Sequence, residues 1–331
     1  FSLLTFYYKL IQNQADAWFD VQTLSDQQLA EKIYRDQVDI LVDPGAGHTA
    51  NNRLQVFAYK PTPIQITLYL CSIGLKTIDY RISDPYLDPL PPPHLPLQGG
   101  GRVGELSLEK VIHHPINHFI LAPSLLVSTE RSRSKHLTFA CFNNLAKVNP
   151  KVIAVWSDIL CHSNAILLLK SSYWVRCEAT QEIYWKQFEA YGIKRERIVF
   201  MPYSLSTEAH LTSYQSVDIS LDPFPFCGHI SSLESLWMGV PVITLEGQTA
   251  FGRVTGSFLH LLGLDNLIAK TPEHYVEIAT NLAQDPLYLK ELRSQLRNKL
   301  LSSPLYDQRA YMKNLENLYR HVWIAWCQKQ G

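Results

Sequence analysis

The segment Cys227, Gly228, His229, Ile230, Ser231, Ser232, Leu233 and Glu234 joins the residue types needed to hold a phosphorylated ligand. It follows the strand-like VDISLD and opens a helix, whose first turn offers unpaired backbone N–H groups at the positive end of the helix dipole. Ser231 and Ser232 add hydroxyl donors, His229 can reach a diphosphate or leaving group, and Glu234 can accept from a ribose diol. A capping serine beside an ordinary loop histidine would explain the same letters. The second cluster, FNNLAK at 142–147, closes the strand pattern LTFACF. Lys147 is placed there to neutralise charge on a departing diphosphate, and Asn144 to hydrogen-bond a polar ligand. By itself Lys147 reads as an exposed lysine. Two such loops at the carboxyl ends of neighbouring strands converge on one crevice in a doubly wound sheet.

His48 in GAGHTANNR and His210 in EAHL are the remaining individual candidates. His113, His114 and His118 have no carboxylate or cysteine at ligand spacing, so they read as solvated loop residues and no metal is expected. Trp156, Trp174, Trp185 and Trp237 sit among apolar neighbours and read as core. The chain has neither a GxSxG elbow nor a P-loop lysine signature, which excludes those serine hydrolases and P-loop NTPases.

The elements that must carry these residues alternate between strand and helix patterns, the mark of α/β construction on a parallel sheet. FSLLTFYY at the start reads as a strand. Ser25 caps a helix bearing Leu29, Ile33 and Tyr34, which leads to a strand over 38–42 and then the glycine- and asparagine-rich loop DPGAGHTANNR. Proline and glycine concentrated over 84–101 form a connector. From His136 a second series runs through LTFACF, a helix from Pro150 to Leu160, and the strands AILLLK, IVFMPY, VDISLD and VPVITL. Helices fill 272–301, with Pro272 in a first turn, and 307–327 close the chain.

At 331 residues and 46% apolar, the chain is long enough for about two domains with buried cores. Thirty basic and thirty acidic residues cancel, so no overall positive field favours nucleic acid or an anionic membrane. Six scattered cysteines without CxxC spacing fit reduced thiols, and a cytoplasmic location is expected. No stretch has the length and apolarity of a membrane span, and the first residues lack a signal-peptide pattern. The start at Phe1, already strand-like, reads as the edge of a fragment.

These segments together resemble the catalytic region of the O-GlcNAc transferase family, protein glycosyltransferases that include the SPINDLY-type enzymes. The likeness lies in DILVDPGAGHTANNRLQVFAYKPTPIQ, DYRISDPYLDP, FACFNNLAKVNP and above all VDISLDPFPFCGHISSLESLWMGVPVITLEGQTAFGRV, followed by LLSSPLYD. It runs through most of the chain from Val38 onward and is weakest between residues 90 and 135.

The resemblance implies an α/β GT-B fold, two Rossmann-like lobes facing a cleft, with the N-terminal lobe truncated. The expected domains are 1–125 for that lobe and its connector, 126–305 for the nucleotide-sugar-binding lobe, and 306–331 for a C-terminal helix crossing back to the first lobe. It implies inverting transfer of N-acetylglucosamine from UDP-GlcNAc to serine or threonine hydroxyls of a polypeptide acceptor, without metal or other cofactor, nucleic acid or membrane. The family's UDP site falls on Asn144, Lys147, His210, His229, Ile230, Ser231 and Glu234, and Lys147 matches the lysine that stabilises the leaving diphosphate. The acceptor base is not assigned: His48, on a strand-end loop of the opposite lobe, is one candidate, and the proton can also pass to phosphate or water. The family's threonine pair is here Ile230 and Ser231, so Ile230 serves through its backbone N–H. Thr207 stands where a basic residue is usual, and LYLCSIG replaces a glycine-rich segment. In this family tetratricopeptide repeats commonly precede the catalytic region. Two alternatives follow from the same motifs: fucosyl transfer from GDP-fucose, and a degenerate, non-catalytic nucleotide-binding homologue.

Overall fold

The computed structural model describes residues 12–44, 52–89, 109–116, 127–132, 136–170 and 177–331. The expected opening strand, His48, His118 and Trp174 lie outside them. The chain divides into two compact units, one of residues 1–81, 108–110 and 319–331, the other of residues 82–107 and 111–318.

In the first unit, helix α1 (Asp26–Arg35) starts at Ser25 with a reciprocal capping box, the Ser25 hydroxyl accepting from the Gln28 N–H and the Gln28 side chain from the Ser25 N–H. Its Leu29 and Ala30 pack on Val56 of helix α2 (Leu54–Ala58). Strand β1 (Ile40–Asp43) pairs in parallel with β2 (Ile64–Thr67), which pairs in parallel with β3 (Tyr80–Ser83). With β4 (Lys110–His113) they form a sheet ordered β1-β2-β3-β4; the division between the units falls after Arg81 within β3 and after Lys110 within β4. His113 and His114 are not the solvated loop residues expected from the sequence. His113 belongs to β4, with Nε2 2.8 Å from the Asp88 carbonyl oxygen, and His114 is fully buried, its Nε2 3.0 Å from the Tyr311 carbonyl oxygen. Carbonyl partners allow these rings to be buried where water would otherwise be needed.

The second unit holds the sheet that carries the site. Its strands are β5 (Thr138–Cys141), β6 (Ile166–Lys170), β7 (Ile198–Met201), β8 (Ile219–Leu221), β9 (Val242–Leu245) and β10 (Ile268–Ala269). All the pairings are parallel, and the order is β10-β9-β8-β5-β6-β7. The chain therefore winds outward through β6 and β7 on one side of β5, then returns to β8 and winds out through β9 and β10 on the other. The reversal between β5 and β8 opens a crevice at their carboxyl ends, the topological switch point of a doubly wound sheet.

Helices between the strands start where local chemistry dictates. Asn149 caps α3 (Pro150–Cys161), its side-chain oxygen accepting from the Lys151 and Val152 N–H groups, and Pro150 sits where no N–H is needed. Thr271 caps α8 (Pro272–Gln284) and Asp285 caps α9 (Pro286–Leu301) in the same way; the long final helix, α10, spans Gln308–Gln330. Further helices are α4 (Glu178–Glu189), α5 (Thr207–Thr212), α6 (Ile230–Trp237) and α7 (Val254–Leu261). Trp156 and Trp237 are core as expected, whereas Trp185 is only half-buried, with Arg195 stacked 3.8 Å from its ring centre.

Candidate functional site

The site assembles from the loops leaving β5 and β8. After β8 the chain passes Asp222 and turns at Cys227 and Gly228 into α6. No side chain caps that helix: its N-cap residue is His229, and the first intrahelical bond runs from the Leu233 N–H to the His229 carbonyl. The amino end of α6 thus keeps N–H donors for an anion, reinforced by the helix dipole. Gly228 is required by close approach rather than by φ. A Cβ there would lie 2.2 Å from Ser232 Oγ and 2.8 Å from Asp222 Oδ1.

From the β5 side, Lys147 reaches this turn. Its Nζ donates to the Cys227 carbonyl at 2.7 Å and to Asn143 Oδ1 at 3.4 Å, and lies 4.2 Å from the centre of the Phe226 ring. Ser231 Oγ donates to the same Asn143 oxygen at 2.9 Å. Amine, helix start and hydroxyl are therefore joined through one amide. Burial lowers the Lys147 pKa, and the Asp222 carboxylate opposes that fall. Burial, together with the nearby Lys147 charge, pulls His229 down to about 4, so its imidazole is neutral at pH 7 and stacks on Phe258.

The structure also joins His210 to Glu234, Nε2 to Oε2 at 3.0 Å. Asn144 is exposed, its side chain capping the short turn at 145–147 through the Ala146 N–H, and Ile230 is 67% exposed. Three participants were not singled out from the sequence. Asn143, adjacent to Asn144, is the buried one; Asp222 is buried behind Gly228; Lys170, at the end of β6, is buried with Nζ donating to Ser204 and Ser213 hydroxyls at 2.8 and 2.7 Å. Burial pulls Lys170 down to about 8, against the Glu234 charge. Position at a strand's carboxyl end was the available signal for all three. A wider hollow of about 690 Å³ lies at the amino ends of β5 and β8, where Arg131 is held by Asp218 and Arg293 donates to backbone carbonyls.

The model of glycosyl transferase family 41 matches residues 122–315, more than half of the chain. The chain belongs to glycosyl transferase family 41. It is 37% identical over 318 residues to a protein of Eustoma exaltatum subsp. russellianum named "Probable UDP-N-acetylglucosamine–peptide N-acetylglucosaminyltransferase SPINDLY", covering 94% of this chain and 33% of that one. It is 30% identical over 338 residues to the Arabidopsis thaliana protein named SEC with the same activity description, covering 97% and 33%. The chain thus spans about a third of the length of these curated relatives. Among solved structures it matches a lysine-to-methionine mutant of the Thermobaculum terrenum O-GlcNAc transferase with a TM-score of 0.85 and 32% identity, covering 98% of this chain and 60% of that one. The parallel sheets and this match make the fold the α/β GT-B type of the family. No helix among the described residues is long and apolar enough to cross a membrane.

Proposed function

We propose that this chain carries the donor-binding and transfer chemistry of a protein O-linked N-acetylglucosaminyltransferase, with UDP-GlcNAc as donor and serine or threonine hydroxyls of polypeptides as acceptors. The observation that carries the reading is the Lys147 amine 2.7 Å from the Cys227 carbonyl, at the uncapped mouth of α6. A diphosphate there receives N–H groups, the Ser231 hydroxyl and an ammonium without a metal ion. Glu234, already paired with His210, takes the ribose hydroxyls. Residues 126–305 act as the donor-binding lobe, since every residue of this cradle falls inside them.

The acceptor oxygen bonds to the anomeric carbon as the bond from that carbon to the β-phosphate oxygen breaks, which inverts the centre. The electron pair leaves with UDP, where Lys147 and α6 stabilise the developing charge. The hydroxyl proton leaves to a base, for which His48, five positions after β1 in the sequence, a phosphate oxygen or water is the candidate acceptor. All six cysteines are free thiols, which supports a reducing cytosolic setting.

Calorimetry of the whole chain with UDP, UDP-GlcNAc and GDP-fucose, alongside transfer to a serine-containing peptide, tests the reading. UDP-GlcNAc should bind and be turned over, and Lys147→Met should cut transfer by at least about 100-fold while circular dichroism stays unchanged. Preference for GDP-fucose would reassign the donor, and binding without turnover would leave a nucleotide-binding homologue.

A further inference from the structure

Asp222 is 1% exposed, at the carboxyl end of β8. Its Oδ1 accepts from the Gly228 N–H at 2.6 Å and its Oδ2 from the Thr244 hydroxyl of neighbouring β9 at 2.8 Å. A buried carboxylate is costly unless its hydrogen bonds and charge are answered. Thr255 is a further donor to it, yet no cation among the described residues is hydrogen-bonded to it. The positive charge that acts on it is Lys147, whose amine sits on the carbonyl of Cys227, one residue before the N–H that Asp222 holds.

The same turn is therefore gripped from both sides. Asp222 holds the Gly228 N–H from beneath, and Lys147 holds the Cys227 carbonyl from the crevice. We propose that Asp222 is a positioning residue for sugar transfer: its buried carboxylate fixes the turn that opens α6 and supplies the counter-charge that keeps Lys147 an ammonium at the diphosphate cradle. The transfer role rests on the function proposed above; the pairing with Lys147 does not.

The surroundings favour this over a purely structural acceptor. The other titratable groups facing Asp222 are Cys141 of β5, Cys227 of the turn and Tyr275 of α8, whose hydroxyl donates to the Asp222 backbone carbonyl. Burial pushes both thiols up to about 12, so they are neutral and leave Lys147 as the charge that responds to Asp222. Burial raises Asp222 itself to about 6, while the Thr255, Thr244 and Gly228 donors and Lys147 oppose that rise. Asp222 is thus ionised at neutral pH and titrates just below it.

Asp222→Asn is close to isosteric: its amide oxygen still accepts from Gly228, while the charge is gone. Without any donor present, Lys147 of the full chain is labelled with a limiting amine acetylating reagent and read by peptide mass spectrometry across pH. At pH 7.5 the Asn variant should label Lys147 about threefold faster than wild type, because an amine without its counter-charge is deprotonated more readily. Thr244→Val removes one hydrogen bond but keeps the charge, and at the same pH 7.5 should label at the wild-type rate. Equal labelling of Asp222→Asn and wild type would overturn the pairing, and so would equal acceleration in Thr244→Val, which would trace the effect to a disturbed turn. In transfer assays Asp222→Asn should lower kcat without raising the donor KM, and flatten the acid limb near pH 6. A raised KM with unchanged kcat would overturn the positioning role. If the wild-type chain transfers no sugar, the function fails while the labelling still decides the pairing.

Discussion

Asp222 and His229 stand at opposite ends of the Gly228 turn and respond to pH in opposite senses. Asp222 is raised from an ordinary 3.8 to about 6, so the folded chain holds that proton more tightly than the unfolded chain. Its contribution to stability is fully present below about 3.8 and is lost as pH rises through 6. His229 is lowered from 6.5 to about 4, so its contribution is fully present above about 6.5 and is lost as pH falls through 4. The two offset each other across one window. Asp222→Asn leaves His229 alone there, so its melting temperature should climb with pH between about 4 and 6.5 more steeply than that of wild type. Parallel curves in differential scanning calorimetry would refute this opposition.

Helix α7 illustrates how packing between elements fixes one residue type. Gly256 lies in its first turn, and a Cβ there would fall 2.7 Å from the Tyr86 hydroxyl oxygen and 3.2 Å from its ring. Tyr86 is not free to retreat, because its hydroxyl donates to Glu246 at 2.7 Å, and Glu246 is also bound by Lys270. Gly256→Ala should therefore destabilise the chain by about 1–3 kcal/mol, the range for overpacking a filled interior. Tyr86→Phe removes the atom nearest the new methyl group, so the alanine should cost less in that background. Urea denaturation of the two single variants and the double variant measures the coupling; strict additivity would mean that the methyl group is accommodated elsewhere.

Thirty positive and thirty negative residues leave the whole molecule without a long-range field, although the cradle itself gathers Lys147 and a helix amino end. Recognition of an anion must then be local. The chain should pass through a heparin column unretained at about 0.15 M salt, where the Debye length is about 8 Å. Retention that weakens steeply with salt would instead reveal a basic face and reopen polyanion binding.

The sequence by itself determined the alternation of strands and helices and the places where helices begin, because caps and periodicity are local. Ser25 with Gln28, Asn149 with Pro150 and Thr271 with Pro272 are legible from spacing alone. Lys147 and the turn into α6 were legible as strand-end chemistry. Only the tertiary structure decided that Asn143 rather than Asn144 faces Ser231, since adjacent residues leaving a strand point to different sides. It also decided that Asp222 lies behind Gly228 and that His114 is enclosed by carbonyls. The order β8-β5-β6 brings loops some 80 residues apart to one crevice, as with Lys147 and Cys227. Such pairings depend on which strands become neighbours, and that is fixed by burial of the whole sheet rather than by any short stretch of chain.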